Sequence, residues 1–300
     1  MTNAFAIETA DLRKRYDDGT EALRGLNLRV PAGSIFGFLG RNGAGKTTTI
    51  KLLLGMAYPT SGEARVFGLA ASSPEASVAV RRRTGFVSED KDLIDYLTVN
   101  GIIRFTAAFY PHWRRDLEER YRDRFELRPE QAIGTLSRGG RTKLALLLAL
   151  CRGVELLVLD EPTSGLDPAM TEEVLQALVA HVAREGTTVF FSSHQIADVE
   201  QIADSVAIID RGRSVLAGSL DDLRSQYRRI ECVFDGDAPQ PAFRTPGIVR
   251  VRRDGRVLTV IASGGVDAIR DEARDLGSVS VDAAPIPLKD IFLETVAAEE

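Results

Sequence analysis

Residues 33–48 read "GSIFGFLGRNGAGKTT", an apolar run that ends in glycine and passes directly into a glycine-rich turn closed by Lys46 and Thr47. The apolar half has the make-up of a buried strand. Its continuation, "GRNGAGKT" from Gly40 to Thr47, matches G-x-x-x-x-G-K-[ST], and a helix is predicted from Gly45 to about Gly55. Strand in and helix out is the context in which this pattern binds phosphate. Gly40, Gly43 and Gly45, with Asn42 and Ala44 between them, free backbone N–H groups to ring an anion. The helix N-terminus adds partial positive charge. Lys46 is predicted to reach the β- and γ-phosphates of a nucleotide, and Thr47 to ligate Mg²⁺, with Thr48 beside them.

Outward from this loop, short apolar runs alternate with helical patterns. "FAIETADL", "LNLRV", "EARVFG" and "TGFVS" read as strands, and residues 98–128 turn helical and charge-rich. Then come strand "ELLVLD", helix "AMTEEVLQALVAHVAREG", strand "TTVFFSS", helix "QIADVEQIA", strand "SVAIID" and a hairpin through Arg211 and Gly212. Such alternation implies an α/β fold with a mostly parallel sheet and helices on its faces. A boundary is expected near Tyr227, giving units 1–227 and 228–300. The second reads as a small α/β domain: strands "RIECVF", "IVRVRR", "RVLTVIA" and "SVSVDA", a hairpin turn at Asp254 and Gly255, and helices "GVDAIRDEARDLG" and "PLKDIFLETVAAEE".

The bulk numbers narrow the function classes. Three hundred residues suit two domains, and 44% hydrophobic with 27% charged residues is ordinary for a soluble chain. A net charge of −5 speaks against a broad nucleic-acid footprint, so no nucleic-acid partner is expected. Two cysteines, Cys151 and Cys232, make a disulfide framework improbable and imply a reducing compartment. No signal peptide is expected at the N-terminus. The longest apolar run, Leu144 to Cys151, is too short to span a bilayer. Any membrane role is therefore expected to pass through a partner.

Three further stretches carry chemistry. "LLVLDEPTSGLD" puts Asp160 and Glu161 at the end of a buried strand, where a parallel sheet brings them beside the phosphate loop. Asp160 suits the shell of a Mg²⁺ ion, and Glu161 can polarise an attacking water. His194 in "FFSSHQIAD" follows the next strand and is expected to face the same phosphates. "TLSRGGRTKLALLLALCRG" reads as a second glycine-opened helix start, capped by Ser137, with Gly139 and Gly140 allowing close approach.

Phosphate loop, "LSRGG", "LLVLDEPTSGLD" and "SSH", in this order, resemble the ATP-binding subunit of an ATP-binding cassette (ABC) transporter over Phe5 to about Tyr227. The resemblance implies a P-loop nucleotidase fold with antiparallel N-terminal strands and a helical subdomain over about 90–150. It implies that Tyr16 stacks on adenine and that "LSRGG" is the family signature, normally LSGGQ. Ser137, Gly139 and Gly140 would then contact ATP bound to the opposite subunit, and Asp167 would join the nucleotide contacts. Arg138 and Gly140 depart from the signature. Glu89 stands where the family places a glutamine, as a possible Mg²⁺ or water ligand that adds negative charge. By the same resemblance, Glu161, His194 and Lys46 form the catalytic set, with ATP and Mg²⁺ as cofactors.

The implied setting is an exporter ATPase at the cytoplasmic face of the cell membrane, peripheral through membrane-spanning permease subunits. It would work as a homodimer or with a paralogous ATPase subunit. Phe105, Phe109, Tyr110 and Trp113 read either as subdomain core or as the rim of a groove for a permease helix, and Arg81, Arg82 and Arg83 as a solvated face. The alternatives are a non-transport ABC ATPase or an ATP-sensing regulatory module. One P-loop, and no sustained heptads between it and Asp160, weigh against the first; Glu161 and His194 weigh against the second. A GTPase reading fails for want of an N-K-x-D motif.

Overall fold

The computed structural model describes residues 4–241 and 243–297. The chain divides into two compact units, Met1–Ala217 and Gly218–Glu300. The sequence suggested a later division, after Tyr227.

The first unit opens with β1 (Phe5–Arg15) and β2 (Glu21–Pro31), an antiparallel pair whose inward side chains alternate with exposed ones. Next come β3 (Ile35–Leu39), α1 (Lys46–Leu53), β4 (Ser61–Val66), β5 (Leu69–Ala70), α2 (Pro74–Arg83) and β6 (Thr84–Val87). After α3 (Val99–Ala107), α4 (Arg115–Arg124) and α5 (Arg138–Leu150), the chain returns to the sheet. It does so through β7 (Leu156–Asp160), α6 (Pro168–Glu185), β8 (Thr188–Ser193), α7 (Ile196–Ile202), β9 (Ser205–Asp210) and β10 (Arg213–Ser219).

Two sheets result. β2-β1-β4-β5 is one; β10-β9-β3-β8-β7-β6 is the other. Within the second, β9, β3, β8, β7 and β6 run parallel, and β3, β7 and β8 are buried along their whole length. Burial on both faces explains why these strands are continuous apolar runs rather than alternating ones. Phe36 and Phe190 stack with ring centroids 5.9 Å apart, in a core shared with Phe38, Val158, Ile209 and with Ile50 and Leu53 of α1. Register then fixes the site: Leu39 lies opposite Ser193, and Asp160 opposite Ser192. The C-terminal ends of β3, β7 and β8 therefore meet, which is where α/β sheets bind ligands.

The helical stretch expected over 98–128 is broken in two. Thr98 caps α3 by accepting from the Gly101 amide, and α4 begins only at Arg115. Pro111 lies in the gap and cannot supply a helical N–H. Neither β5 nor α2 was anticipated. The start of α2 is nonetheless written in the chain as Ser73-Pro74-Glu75, with Ser73 Oγ accepting from the Ala76 amide. Its three arginines are not a solvated face alone. Arg81 donates to the Leu54 carbonyl, and Arg83 pairs with Glu155 at 2.6 Å while lying over the Phe67 ring.

The second unit holds α8 (Leu220–Gln226), β11 (Arg228–Val233), β12 (Ile248–Asp254), β13 (Val257–Ala262), α9 (Val266–Asp275), β14 (Ser280–Pro285) and α10 (Leu288–Ala297). Its sheet, β12-β13-β11-β14, is antiparallel throughout, with β12 and β13 joined at Asp254–Gly255 as expected. Ile230, Cys232, Leu258, Val260 and Ile269 form its core. The last three residues of the expected closing helix, 298–300, lie outside the described residues. Cys151 and Cys232 are both free and fully buried.

Candidate functional site

The phosphate loop takes the conformation its glycines allow. Gly45 sits at φ 111°, and a Cβ there would come within 2.7 Å of the Ala22 carbonyl, so no other residue fits. The loop opens α1 at Lys46, whose buried ammonium donates to the Gly40 carbonyl at 2.8 Å and lies 3.0 Å from Glu161 Oε1. Lys46 is thus held between its own loop and the carboxylate at the end of β7.

That strand end carries a connected set of polar groups. Thr47 Oγ1 donates to Asp160 Oδ2 at 2.9 Å. Ser192 Oγ donates to Asp160 Oδ1 at 2.6 Å and accepts from the Glu161 amide at 3.1 Å. Glu161 Oε2 meets His194 Nδ1 at 2.8 Å and accepts from the His194 amide at 3.3 Å. Asp160 and Glu161 are both buried, which suits acids that act where water is scarce. Glu161 has φ 48°, a left-handed conformation uncommon outside glycine and concentrated at functional sites.

Lys46, Thr47 and Glu161 border a cavity of about 400 Å³, whose lining Asp160, Ser192 and His194 do not join. Its lining includes Tyr16, Asn42, Lys46, Thr48, Glu89 and Glu161. Gly43, Gly45 and Thr47 line it too, whereas Gly40 and Ala44 lie behind it, buried. Tyr16 is exposed, its hydroxyl 3.3 Å from Thr48 Oγ1 and Lys14 Nζ 5.0 Å from its ring centroid. Among the described residues no three His, Cys, Asp or Glu side chains are grouped to hold an ion. Mg²⁺ at a nucleotide site needs no such group, because it takes one or two protein oxygens and fills its shell with phosphate and water. Thr47, which lines the cavity, and Asp160, bonded to its hydroxyl, fit that demand.

Comparison with known proteins agrees with this geometry. The family model described as "ABC transporter" matches residues 23–164. The bacitracin transport ATP-binding protein BcrA of Bacillus licheniformis is 34% identical over 225 residues, covering 74% of this chain and 72% of that protein. The chain belongs to the ABC transporter family. The daunorubicin/doxorubicin resistance ATP-binding protein DrrA of Streptomyces peucetius is 36% identical, covering 73% of this chain and 67% of that one. Among solved structures, cbiO1 from Clostridium perfringens, part of an ABC transporter complex, superposes with a TM-score of 0.65 at 27% identity. The match covers 72% of this chain and 89% of that one. The protein is therefore an ATP-binding, ATP-hydrolysing subunit of an ABC transporter.

The residues of the LSRGG stretch, and Asp167, do not line the cavity. Ser137 caps α5, its Oγ accepting from the Gly140 amide at 3.1 Å. Gly139 is buried, and a Cβ there would strike Met170 Sδ at 2.0 Å, so this glycine serves the packing of α5 against α6. Asp167 caps α6 by accepting from the Met170 amide at 2.9 Å. None of Ser137, Gly139, Gly140 and Asp167 lines the P-loop cavity of its own chain. Arg138, the departure from the family signature, folds back onto the loop after Glu161, with Nη2 at 3.4 Å from Ser164 Oγ.

Three contributors went unread in the sequence. Ser192 lay inside the quoted "FFSSH", and its place opposite Asp160 follows only from strand register. Asp198 accepts a buried hydrogen bond from Thr163 Oγ1, and burial pushes its carboxyl above the usual range. Lys91, buried on the loop after β6, donates from Nζ to the Glu161 carbonyl at 3.2 Å. A lysine in a charged loop carries no local sign that it will be buried.

Proposed function

We propose that this chain drives an exporter: ATP binding closes a dimer of such subunits, and hydrolysis reopens it. The observation that carries the reading is Glu161. Its carboxylate stands between Lys46 and His194 at the edge of the P-loop cavity, 3.0 Å from one and 2.8 Å from the other. A carboxylate so placed can take a proton from a water attacking the γ-phosphate, with Lys46 neutralising phosphate charge and His194 holding the carboxylate and water in line. Thr47 and Asp160, with Glu89 across the cavity, would hold Mg²⁺, which supplies charge neutralisation of the phosphates. Tyr16 would stack on adenine.

Transport direction is inferred from relatives named for bacitracin transport and drug resistance. Among the described residues no helix is long and apolar enough to cross a membrane, so permease subunits would carry the substrate path. Their docking site is inferred at a groove beside β6 and α5, lined by Phe86, Leu93, Tyr110, Leu148 and Arg152. Phe105 on α3 and Phe109 in the turn after it pack edge-on at 5.2 Å, half or more exposed, rather than in a core. A short amphipathic helix from a permease suits such a groove, and attachment through it would keep the protein at the cytoplasmic membrane face.

Glu161→Gln tests the reading. The variant should bind ATP as the parent does and lose about 10²–10⁴-fold in turnover, accumulating as an ATP-bound dimer. Unchanged turnover would remove Glu161 from the role.

A further inference from the structure

Glu161 holds its left-handed backbone at the end of a buried strand, where a non-glycine residue needs outside support. Two donors reach its carbonyl: the Ser164 amide at 3.3 Å, from the turn that follows, and Lys91 Nζ at 3.2 Å, from a loop seventy positions earlier. Lys91 is 4% exposed and itself left-handed, at φ 49°. Burying an ammonium is costly unless it is engaged. The side chain does not join the lining of the P-loop cavity. It is placed to act on the backbone that carries the carboxylate, not on the phosphates.

We propose that Lys91 is a positioning residue for hydrolysis, pinning the Glu161 carbonyl so that the left-handed turn aims the carboxylate between Lys46 and His194. The inference rests on Glu161 being the base. Without the ammonium the turn keeps one donor of two and can relax toward ordinary φ, swinging Oε1 and Oε2 off their partners. Displacements of about 1 Å at a reacting group cost up to about 10²-fold in rate.

The test uses the full-length protein with Lys91→Met, which keeps the length of the side chain and removes the donor, and Lys91→Arg, which restores one. Turnover, KM for MgATP, binding of a fluorescent ATP analogue and the urea unfolding midpoint are measured together. Lys91→Met should lower kcat at least about tenfold, with KM and binding within about twofold of the parent; Lys91→Arg should recover most of the loss. If Lys91→Met does not accumulate as folded protein, Lys91→Gln takes its place with the same expectation, its amide stopping short of the carbonyl. In a Glu161→Gln background the Lys91 substitution should cost nothing further, because both act through one group. The inference is overturned if kcat is unchanged, if the loss multiplies with that of Glu161→Gln, or if kcat, binding and unfolding midpoint fall together without recovery in Lys91→Arg. Full turnover in Glu161→Gln alone overturns the base reading and this inference with it. An inactive Glu161→Gln beside a fully active Lys91→Met overturns only the inference.

Discussion

Thr47 Oγ1 donates to Asp160 Oδ2 across 2.9 Å, tying the first turn of α1 to the end of β7. Hydroxyl and carboxylate are two of the oxygens a Mg²⁺ ion would take from the protein, and the bond between them pre-sets their separation. Asp160→Asn keeps the shape and the Ser192 contact but removes the charge. ATP binding in the presence of Mg²⁺ should fall at least about tenfold, while binding in EDTA changes little. Equal strengthening of binding by Mg²⁺ in parent and variant would exclude Asp160 as a ligand.

Ser137, Gly139 and Gly140 do not line their own cavity, and we propose that they meet the nucleotide of a second copy. If each nucleotide lies between one chain's P-loop and the other's signature, Lys46→Ala and Ser137→Arg should each cripple both sites of a homodimer. A mixed dimer carrying one of each gathers both lesions into a single site and leaves the other intact. Tight ATP binding should therefore return at one site per mixed dimer. Mixed dimers that demonstrably form yet bind no ATP would rule out the sandwich. The Gly140 amide, engaged by Ser137 Oγ here, would have to exchange that bond to meet a phosphate.

His181 gives the stability of the first unit a pH dependence. It is buried, with Nδ1 3.0 Å from the Tyr121 hydroxyl and Nε2 3.2 Å from Thr187 Oγ1, whose own proton goes to the Val154 carbonyl. That arrangement fits a neutral ring carrying its proton on Nε2. Burial lowers its pKa from 6.5 to about 4. Between those values the unfolded chain takes up a proton that the folded chain refuses, so stability is complete above pH 6.5 and falls as pH drops toward 4. The loss is on the order of 3 kcal/mol. Urea midpoints measured across that window should fall less in His181→Phe than in the parent; identical slopes would assign the acid limb to other groups.

Every residue lining the P-loop cavity lies before Ala217, so the C-terminal unit is expected to be dispensable for nucleotide binding. The cut belongs after Tyr227, because a cut at Ala217 would clip β10, which runs to Ser219 in the main sheet. A chain of residues 1–227 that folds, by circular dichroism and a cooperative melt, should bind ATP within about threefold of full length. Folded protein without binding would mean that the tail contributes to the site.

How much of this was legible in the sequence depends on distance along the chain. Lys46, Thr47 and the glycines around them announce a phosphate loop because a local turn needs those residues in that order. Asp160, Glu161 and His194 could be placed because each ends a run too apolar to be anything but a buried strand. The break between α3 and α4 was also written locally, in Pro111, but the charge-rich pattern on either side masked it. Ser192 and Lys91 could not be read. One is set by a strand register, the other by a loop packing beneath a strand end that follows it by seventy residues. The glycines of the signature looked like room for a phosphate, and one of them, Gly139, turned out to be room for Met170.

The two buried thiols have a practical consequence. Burial raises the pKa of both, that of Cys232 to about 11, so at neutral pH roughly one Cys232 side chain in 10⁴ is a thiolate. Maleimide or nitroxide reagents should pass over the native chain, leaving it, without any replacement of its own cysteines, a quiet background for labels. One cysteine introduced at the exposed Glu130 position, away from the P-loop cavity and from Ser137, would carry a single probe per subunit. The distance between two such probes, followed as ATP is added and consumed, would report whether and how far the subunits travel toward one another during a cycle.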